Sequence, residues 1–345
     1  MAEPIILCDT AGMSRERWLE CRAHGPDGDI PYTVGGSDVP IILGYSPWST
    51  PLELWRIKKG LMKVPKKDNE KQLALGHRLE DIAADLYAGR TGDTVINDTN
   101  FYQHADIPYA LANFDRRFIR KKDGAKGILE CKSTNYHKAD AWANDAYPIY
   151  YEYQLRFYLA VADVENGAFA AWWGNNPDTD FATPTITRDR RKENWMLEKI
   201  DEFVWSLKND KPPTMEDIAP KTALESLARI YERSDPSLPM VKIPSVYEKG
   251  LRKIATLQAE ISKHDAEARK LRKEASACSV EIAELMKLHE RGELVTGVDK
   301  LLVDYITTGR RGIDDEKLKT EYPEVYEAVR KTSYSRNVKV RVEAI

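Results

Sequence analysis

Cysteine is scarce in this chain of 345 residues, and its four copies, Cys8, Cys21, Cys131 and Cys278, are scattered. No C-x-x-C pair occurs and no histidine stands beside a cysteine at metal-ligand spacing, which argues against a zinc site, an iron–sulfur cluster or a disulfide framework. Reduced thiols are the expectation. Long apolar runs are missing as well. The N-terminal patch Ile5-Ile6-Leu7 is short and has acidic rather than basic neighbours, and no stretch is long enough to span a bilayer, so a cytoplasmic protein is expected. Nor is there an excess of positive charge: Lys+Arg total 52 against Asp+Glu 55, a formal net charge of −3. Any grip on a polyanion must come from local patches. Apart from heptads near the C-terminus, there is no internal repeat.

With 42% hydrophobic residues the chain can bury a full core and still build a second element. Four zones follow: a body over 1–210, a proline-rich connector over 211–246, a long helix or coiled-coil segment over 247–291, and a small α+β segment over 292–345. In the body, Ser14 is a plausible N-cap for a helix to Arg22, and Thr50-Pro51 opens another. Leu79, Ile82, Ala83, Leu86 and Tyr87 fall at helical spacing, with Leu79 and Ile82 expected on the core face and Gly92 closing the helix. Phe118–Arg120 and Gly127–Lys132 read as a hairpin around Lys122-Asp123-Gly124. Helix over Tyr150–Val164, a buried strand over Ala168–Trp173 and an amphipathic helix over Arg190–Lys208 complete it. Interleaved strands and helices suggest an α/β fold, a mixed central sheet flanked by helices.

The connector holds Pro212, Pro213, Pro220, Pro236, Pro239 and Pro244, with room for one short helix at Ala223–Glu232. From Ile254 to Leu285 apolar residues alternate at three and four, a heptad seam weakened by His264, Ala268 and Ala275. Unbroken, that helix extends roughly 60 Å at about 1.5 Å per residue. A strand at Leu301–Thr307, a helix near Asp315–Arg330 and a strand-like tail at Val338–Val342 are expected after it.

The informative chemistry lies in the body. Asp115 is expected at the end of the strand led by Tyr109–Phe114, and Glu130-Cys131-Lys132 closes the apolar run of the hairpin. Two carboxylates and a lysine are what a magnesium-dependent phosphodiester hydrolase needs: a hard cation takes oxygen ligands and the attacking water needs a positioned base. Glu130 and Lys132 share one strand face with Ile128, while Leu129 and Cys131 face the other way. Taken alone, D-x(n)-E-x-K is weak, since solvated strand faces carry such pairs by chance. Glu80, alone, reads as a solvated helix carboxylate. Gln154 and Tyr158, four apart, share a helix face, where core-edge packing competes with ligand contact.

The order helix-Glu, strand-Asp, strand-Glu-x-Lys, helix-Gln-x-x-x-Tyr resembles the PD-(D/E)xK restriction-endonuclease-like core. Trp18, Arg22, Gly35-Gly36-Ser37-Asp38, Ile42-Leu43-Gly44, Ser46-Pro47 and Thr50-Pro51-Leu52-Glu53-Leu54-Trp55 are similar to the N-terminal signature of the YqaJ-type viral recombinases, the family of lambda exonuclease. The similarity covers about residues 13–175, and Asp315–Arg336 resembles the tail of phage members with a helical insert. Phe114 stands where that family has proline, and the stretch from Asp115 to Glu130 is longer, which should lengthen only a hairpin.

The resemblance implies that Asp115, Glu130 and the main-chain carbonyl of Cys131 ligate Mg²⁺, with Mn²⁺ able to substitute. Glu80 joins directly or through water, Lys132 orients or activates the attacking water, and Gln154 supports the shell, with Tyr158 at its margin. Trp18, Arg22 and Ser37 match the positions that hold a 5′ end. It further implies 5′-to-3′ exonuclease action on linear double-stranded DNA, a single-strand annealing protein as partner, a trimeric homo-oligomer, and a phage or prophage origin in a bacterial host. Two other readings stand beside it: a different PD-(D/E)xK end-processing nuclease of the RecB-like kind, and a non-catalytic DNA-binding coiled-coil interaction protein. A decayed nuclease would have lost one of Glu80, Asp115, Glu130 or Lys132; all are present.

Overall fold

The computed structural model describes residues 3–64, 70–174, 176, 178–296, 298–307 and 315–329, without the side chains of 70–75, 77, 78, 315, 328 and 329. The chain divides into two compact units, 1–231 and 232–345.

The first unit begins with β1 (Ile5–Asp9), α1 (Arg15–His24), α2 (Val39–Ile42), α3 (Pro51–Lys58) and α4 (Glu70–Thr91). Short extended pieces follow, β2 (Thr94–Ile96), β3 (Asn100–Gln103), β4 (Leu111–Ala112), β5 (Arg116–Ile119) and β6 (Lys126–Ser133). Beyond a 3₁₀ segment at Tyr136–Asp145 come α5 (Ile149–Ala162), β7 (Asn166–Trp172), β8 (Phe181–Ala182), β9 (Thr185–Thr187), α6 (Arg190–Lys208) and α7 (Pro220–Ile230). The helix starts follow their caps: Ser14 Oγ accepts from Arg17 N–H, and Thr50 Oγ1 from Glu53 N–H with Pro51 at the first helical position. Gly92, at φ 74°, ends α4 in the left-handed conformation that only glycine adopts without strain.

The main sheet runs β2-β5-β6-β7-β8, with β9 also paired to β7. β6 and β7 are parallel and joined through α5; the other pairs are antiparallel. A crossover helix between parallel neighbours must bury one face on the sheet. Accordingly Leu155, Phe157 and Leu159 of α5 are fully buried with Ile128 and Phe169, each worth roughly 1.5–3 kcal/mol. α4 covers the opposite face through Ala83, Ala84 and Tyr87 against Leu129, Cys131, Ala168 and Ala170. Ile82, expected in the core, is instead 44% exposed. Small alanines rather than the isoleucine meet the sheet. A second sheet, β1-β3-β4, pairs the N-terminal patch with residues 100–103, a long-range pairing that local pattern does not show.

The second unit contains α8 (Glu248–Met286), the hairpin of β10 (Arg291–Val295) and β11 (Lys300–Asp304), then α9 (Asp315–Glu321) and α10 (Pro323–Val329). The heptad segment is one continuous 39-residue helix on which Leu257, Ile261, Leu271 and Leu285 are exposed. The helix expected near Asp315–Arg330 is two, broken before Pro323, whose ring and missing N–H cannot continue it. The tail strand expected at Val338–Val342 lies outside the described residues. Among the described residues no helix is long and apolar enough to cross a membrane.

Candidate active site

β6 is the strand that carries the site. Its side chains alternate between two covered faces: Leu129 and Cys131 pack under α4, while Ile128 belongs to the α5 side. Glu130, in phase with Ile128, is 1% exposed. A buried carboxylate must be compensated. One of its oxygens, Oε1, accepts from Gln154 Nε2 of α5 at 2.6 Å and from Lys132 Nζ, two residues along the same strand face. The other oxygen, Oε2, is buried and has no hydrogen-bond partner among the described residues.

Asp115 lies immediately before β5 rather than at the end of the preceding strand, because β4 stops at Ala112 and pairs into the second sheet. β5 pairs with β6 only as far as Arg116 opposite Leu129, so the edge of β6 beyond that point is open. Asp115 fills it: Oδ2 accepts the main-chain N–H of Cys131 at 2.9 Å. In a strand the N–H and C=O of one residue leave the same edge, which puts the Cys131 carbonyl on the Asp115 side.

Glu80, on α4, completes a group of three acidic residues. Burial, then the Asp115 charge, push the Glu80 carboxyl up to about 7. Glu130 is pushed up to about 8 by burial and Asp115, with Glu80 adding to the effect. Carboxylates that raise one another are short of positive charge. Burial opposes the Lys132 ammonium, yet Glu130 and Asp115 outweigh it and hold its pKa above the ordinary lysine value. The ammonium also sits over the Tyr151 ring, 4.9 Å from its centroid.

The end-binding candidates lie next to this group. Arg22 Nη2 donates to Ser37 Oγ, its guanidinium lies over Trp18 at 5.3 Å, and Trp18 Nε1 donates to Asn113 Oδ1 at 3.3 Å. Tyr158 links the two halves. Its hydroxyl accepts from Gln154 Nε2 at 3.1 Å, and its ring packs on Phe114 and over Gly36. A Cβ at Gly36 would come within 2.3 Å of that ring, so the glycine beside Ser37 is there for close approach. Half-buried Asp38 is held ionised, its pKa lowered by Lys58 and Arg22 against the cost of desolvation. Sequence reasoning missed three of these contacts: the Lys132–Tyr151 stack, the Asp115–Cys131 bond and the Gly36–Tyr158 approach. A glycine four residues after the positive-φ Tyr32 and beside a hydroxyl carries no local sign of which ring it must admit.

Among the described residues no three His, Cys, Asp or Glu side chains stand at metal-gripping spacing in this arrangement, in which Asp115 is turned to a main-chain N–H and Glu130 to Lys132. The donor chemistry nonetheless fits a hard cation: all ligands would be oxygens, and one buried Glu130 oxygen lacks a partner.

A mixed sheet between α4 and α5 bears a helix glutamate, an edge aspartate, a strand Glu-x-Lys and a helix glutamine, in the order that the resemblance seen in the sequence implies. Residues 17–165 match the family model described as the YqaJ-like viral recombinase domain. A relative described as "Uncharacterized protein YqaJ", from Bacillus subtilis (strain 168), is 29% identical over 341 residues, covering 97% of each chain. Among solved structures, the alkaline exonuclease LHK-Exo from Laribacter hongkongensis is 17% identical at a TM-score of 0.46, over 57% of this chain and 94% of that one. A phage-related exonuclease from Haemophilus somnus 129PT is 15% identical at a TM-score of 0.38, over 51% and 92%.

Proposed function

We propose that the first unit is a divalent-cation-dependent deoxyribonuclease that degrades linear double-stranded DNA from its 5′ ends, preparing it for recombination with a single-strand annealing partner. The observation that carries this reading is Glu130: one oxygen fixed by Lys132 and Gln154, the other buried and unpartnered, with two further acidic residues close enough to raise its pKa. A purely structural strand glutamate would have both oxygens satisfied. Asp115, Glu130, the Cys131 carbonyl and Glu80 would hold Mg²⁺, or Mn²⁺ in its place. The bound cation supplies Lewis-acid polarisation of the scissile phosphodiester.

The chain's own groups do the rest. Lys132 keeps a full positive charge beside Glu130 and is placed to orient the incoming water and offset charge as the phosphorus centre becomes more negative. Gln154 ties Glu130 to Tyr158, which keeps the carboxylate aimed. Arg22 and Ser37 offer a guanidinium and a hydroxyl to a terminal phosphate, geometry suited to a bidentate grip. The test is degradation of linear duplex with Mg²⁺: Asp115→Ala and Lys132→Ala are each expected to lower it by at least about 100-fold with the far-UV spectrum unchanged, on the scale of removing a charge-stabilising group. Undiminished activity in either variant would refute the assignment.

A further inference from the structure

Trp48 is 59% exposed on the surface of the first unit, and its position is not loosely held. Its main-chain N–H donates to Ser46 Oγ at 3.2 Å, and its carbonyl accepts from Arg229 Nη2 of α7 at 2.9 Å. Arg229 in turn forms two bonds to Glu53, at 2.8 and 2.7 Å, and that carboxylate is 2% exposed. Beside it, Thr50 and Ser226 share a buried hydroxyl contact of 2.7 Å. Helices α3 and α7 therefore clamp the backbone on which an exposed indole stands. An aromatic ring that fills no core yet is fixed so firmly is not serving stability.

The ring is also connected. Trp48 meets Tyr150 edge-on with centroids 5.0 Å apart, Tyr150 meets Tyr151 at 4.5 Å, and Tyr151 carries Lys132 Nζ at 4.9 Å. Tyr151 is braced from behind by Trp142. An unbroken aromatic run thus leads from the lysine of the candidate site to the indole at the surface. At ~3.4 Å per nucleotide along a stacked strand, its length corresponds to only a few nucleotides.

We infer that Trp48, backed by Tyr150, is a stacking platform for an unpaired base of the DNA strand engaged next to Lys132. The inference rests on the deoxyribonuclease reading above and adds to it a positioning residue and a preferred substrate form, a duplex whose end is locally unpaired. Every base has a π face, so such a platform holds a strand in register without reading its sequence. The neighbouring ammonium of Lys132 fits the phosphate backbone that accompanies the base.

The experiment places 2-aminopurine in the terminal nucleotides of a partly unpaired duplex and titrates it with the full chain carrying Asp115→Asn, so that the DNA stays intact. Quenching on binding is expected, retained with Trp48→Phe, and lost with Trp48→Ala, which also weakens binding about 10-fold, the scale of one stacked base. Quenching and affinity unchanged in Trp48→Ala, or equal retention by Trp48→Leu and Trp48→Phe, would overturn the platform. In the catalytically intact chain, Trp48→Ala is expected to raise KM about 10-fold with kcat at saturating DNA within about twofold. A fall in kcat at constant KM overturns it. The two readings fail separately. A chain that never cleaves DNA but whose quenching follows Trp48 keeps the platform and loses the nuclease; one that cleaves while quenching ignores Trp48 does the reverse.

Discussion

Stability of the metal-free protein should fall as pH rises from about 5 to about 8, and Mg²⁺ should offset part of that fall. The reasoning starts from Glu80 and Glu130, held up to about 7 and about 8 in the folded chain by burial and by Asp115. A carboxyl whose folded pKa exceeds its unfolded value binds its proton more tightly when folded. The associated stability is fully present below the ordinary glutamate value of about 4.5 and is lost as pH passes through the folded values. For Glu130, fully buried, the loss is on the order of 5 kcal/mol by pH 8.5, at about 1.4 kcal/mol per pH unit. A cation bound by the ionised carboxylates at about 100 times its Kd restores about 2.7 kcal/mol. The assay is thermal unfolding from pH 5.5 to 9 in EDTA and in Mg²⁺. The EDTA midpoint should drop across that range, and the Mg²⁺ increment should be small at pH 5.5 and several degrees at pH 8.5. Asp115→Asn removes the charge that, after burial, does most to raise both glutamates, so the EDTA drop should shrink and be complete at lower pH. A Mg²⁺ increment equal at pH 5.5 and 8.5, or a drop untouched by Asp115→Asn, would refute the reasoning.

Two further outcomes are expected. Gly36→Ala drives a Cβ within 2.3 Å of the Tyr158 ring, so it should cost on the order of 1–3 kcal/mol in urea unfolding and also reduce kcat by loosening the Gln154–Glu130 contact. Arg22→Ala should abolish any preference for a 5′-phosphorylated over a 5′-hydroxyl end, read as the ratio of kcat/KM on the two duplexes, while leaving the melting temperature within about a degree.

Much of the site was legible because its signals are local. Glu130 and Lys132 share a face by the two-residue period of a strand, Ser14 and Thr50 are N-caps by residue type, and the β5–β6 turn is marked by Asp123 and Gly124. What was not legible depends on contacts far apart in the chain. The N-terminal patch becomes a strand only because residues 100–103 lie beside it. Asp115 faces Cys131 N–H because β4 leaves for another sheet and β5 begins late, a matter of strand length rather than residue type. Helical spacing placed Ile82 in the core, but the sheet under α4 admits only the small side chains of Ala83 and Ala84 beside Tyr87. Periodicity shows where a stripe is, not which edge of it the partner surface accepts.

The most direct test of the central claim compares a linear duplex labelled at its 5′ end, the same duplex labelled at its 3′ end, and closed circular DNA, each with the intact chain and with Lys132→Ala in Mg²⁺. The account predicts immediate release of the 5′ label as short product, delayed loss of the 3′ label, an intact circle, and none of these with Lys132→Ala. Cleavage of the circle, or equal digestion by the Lys132→Ala chain, would contradict it.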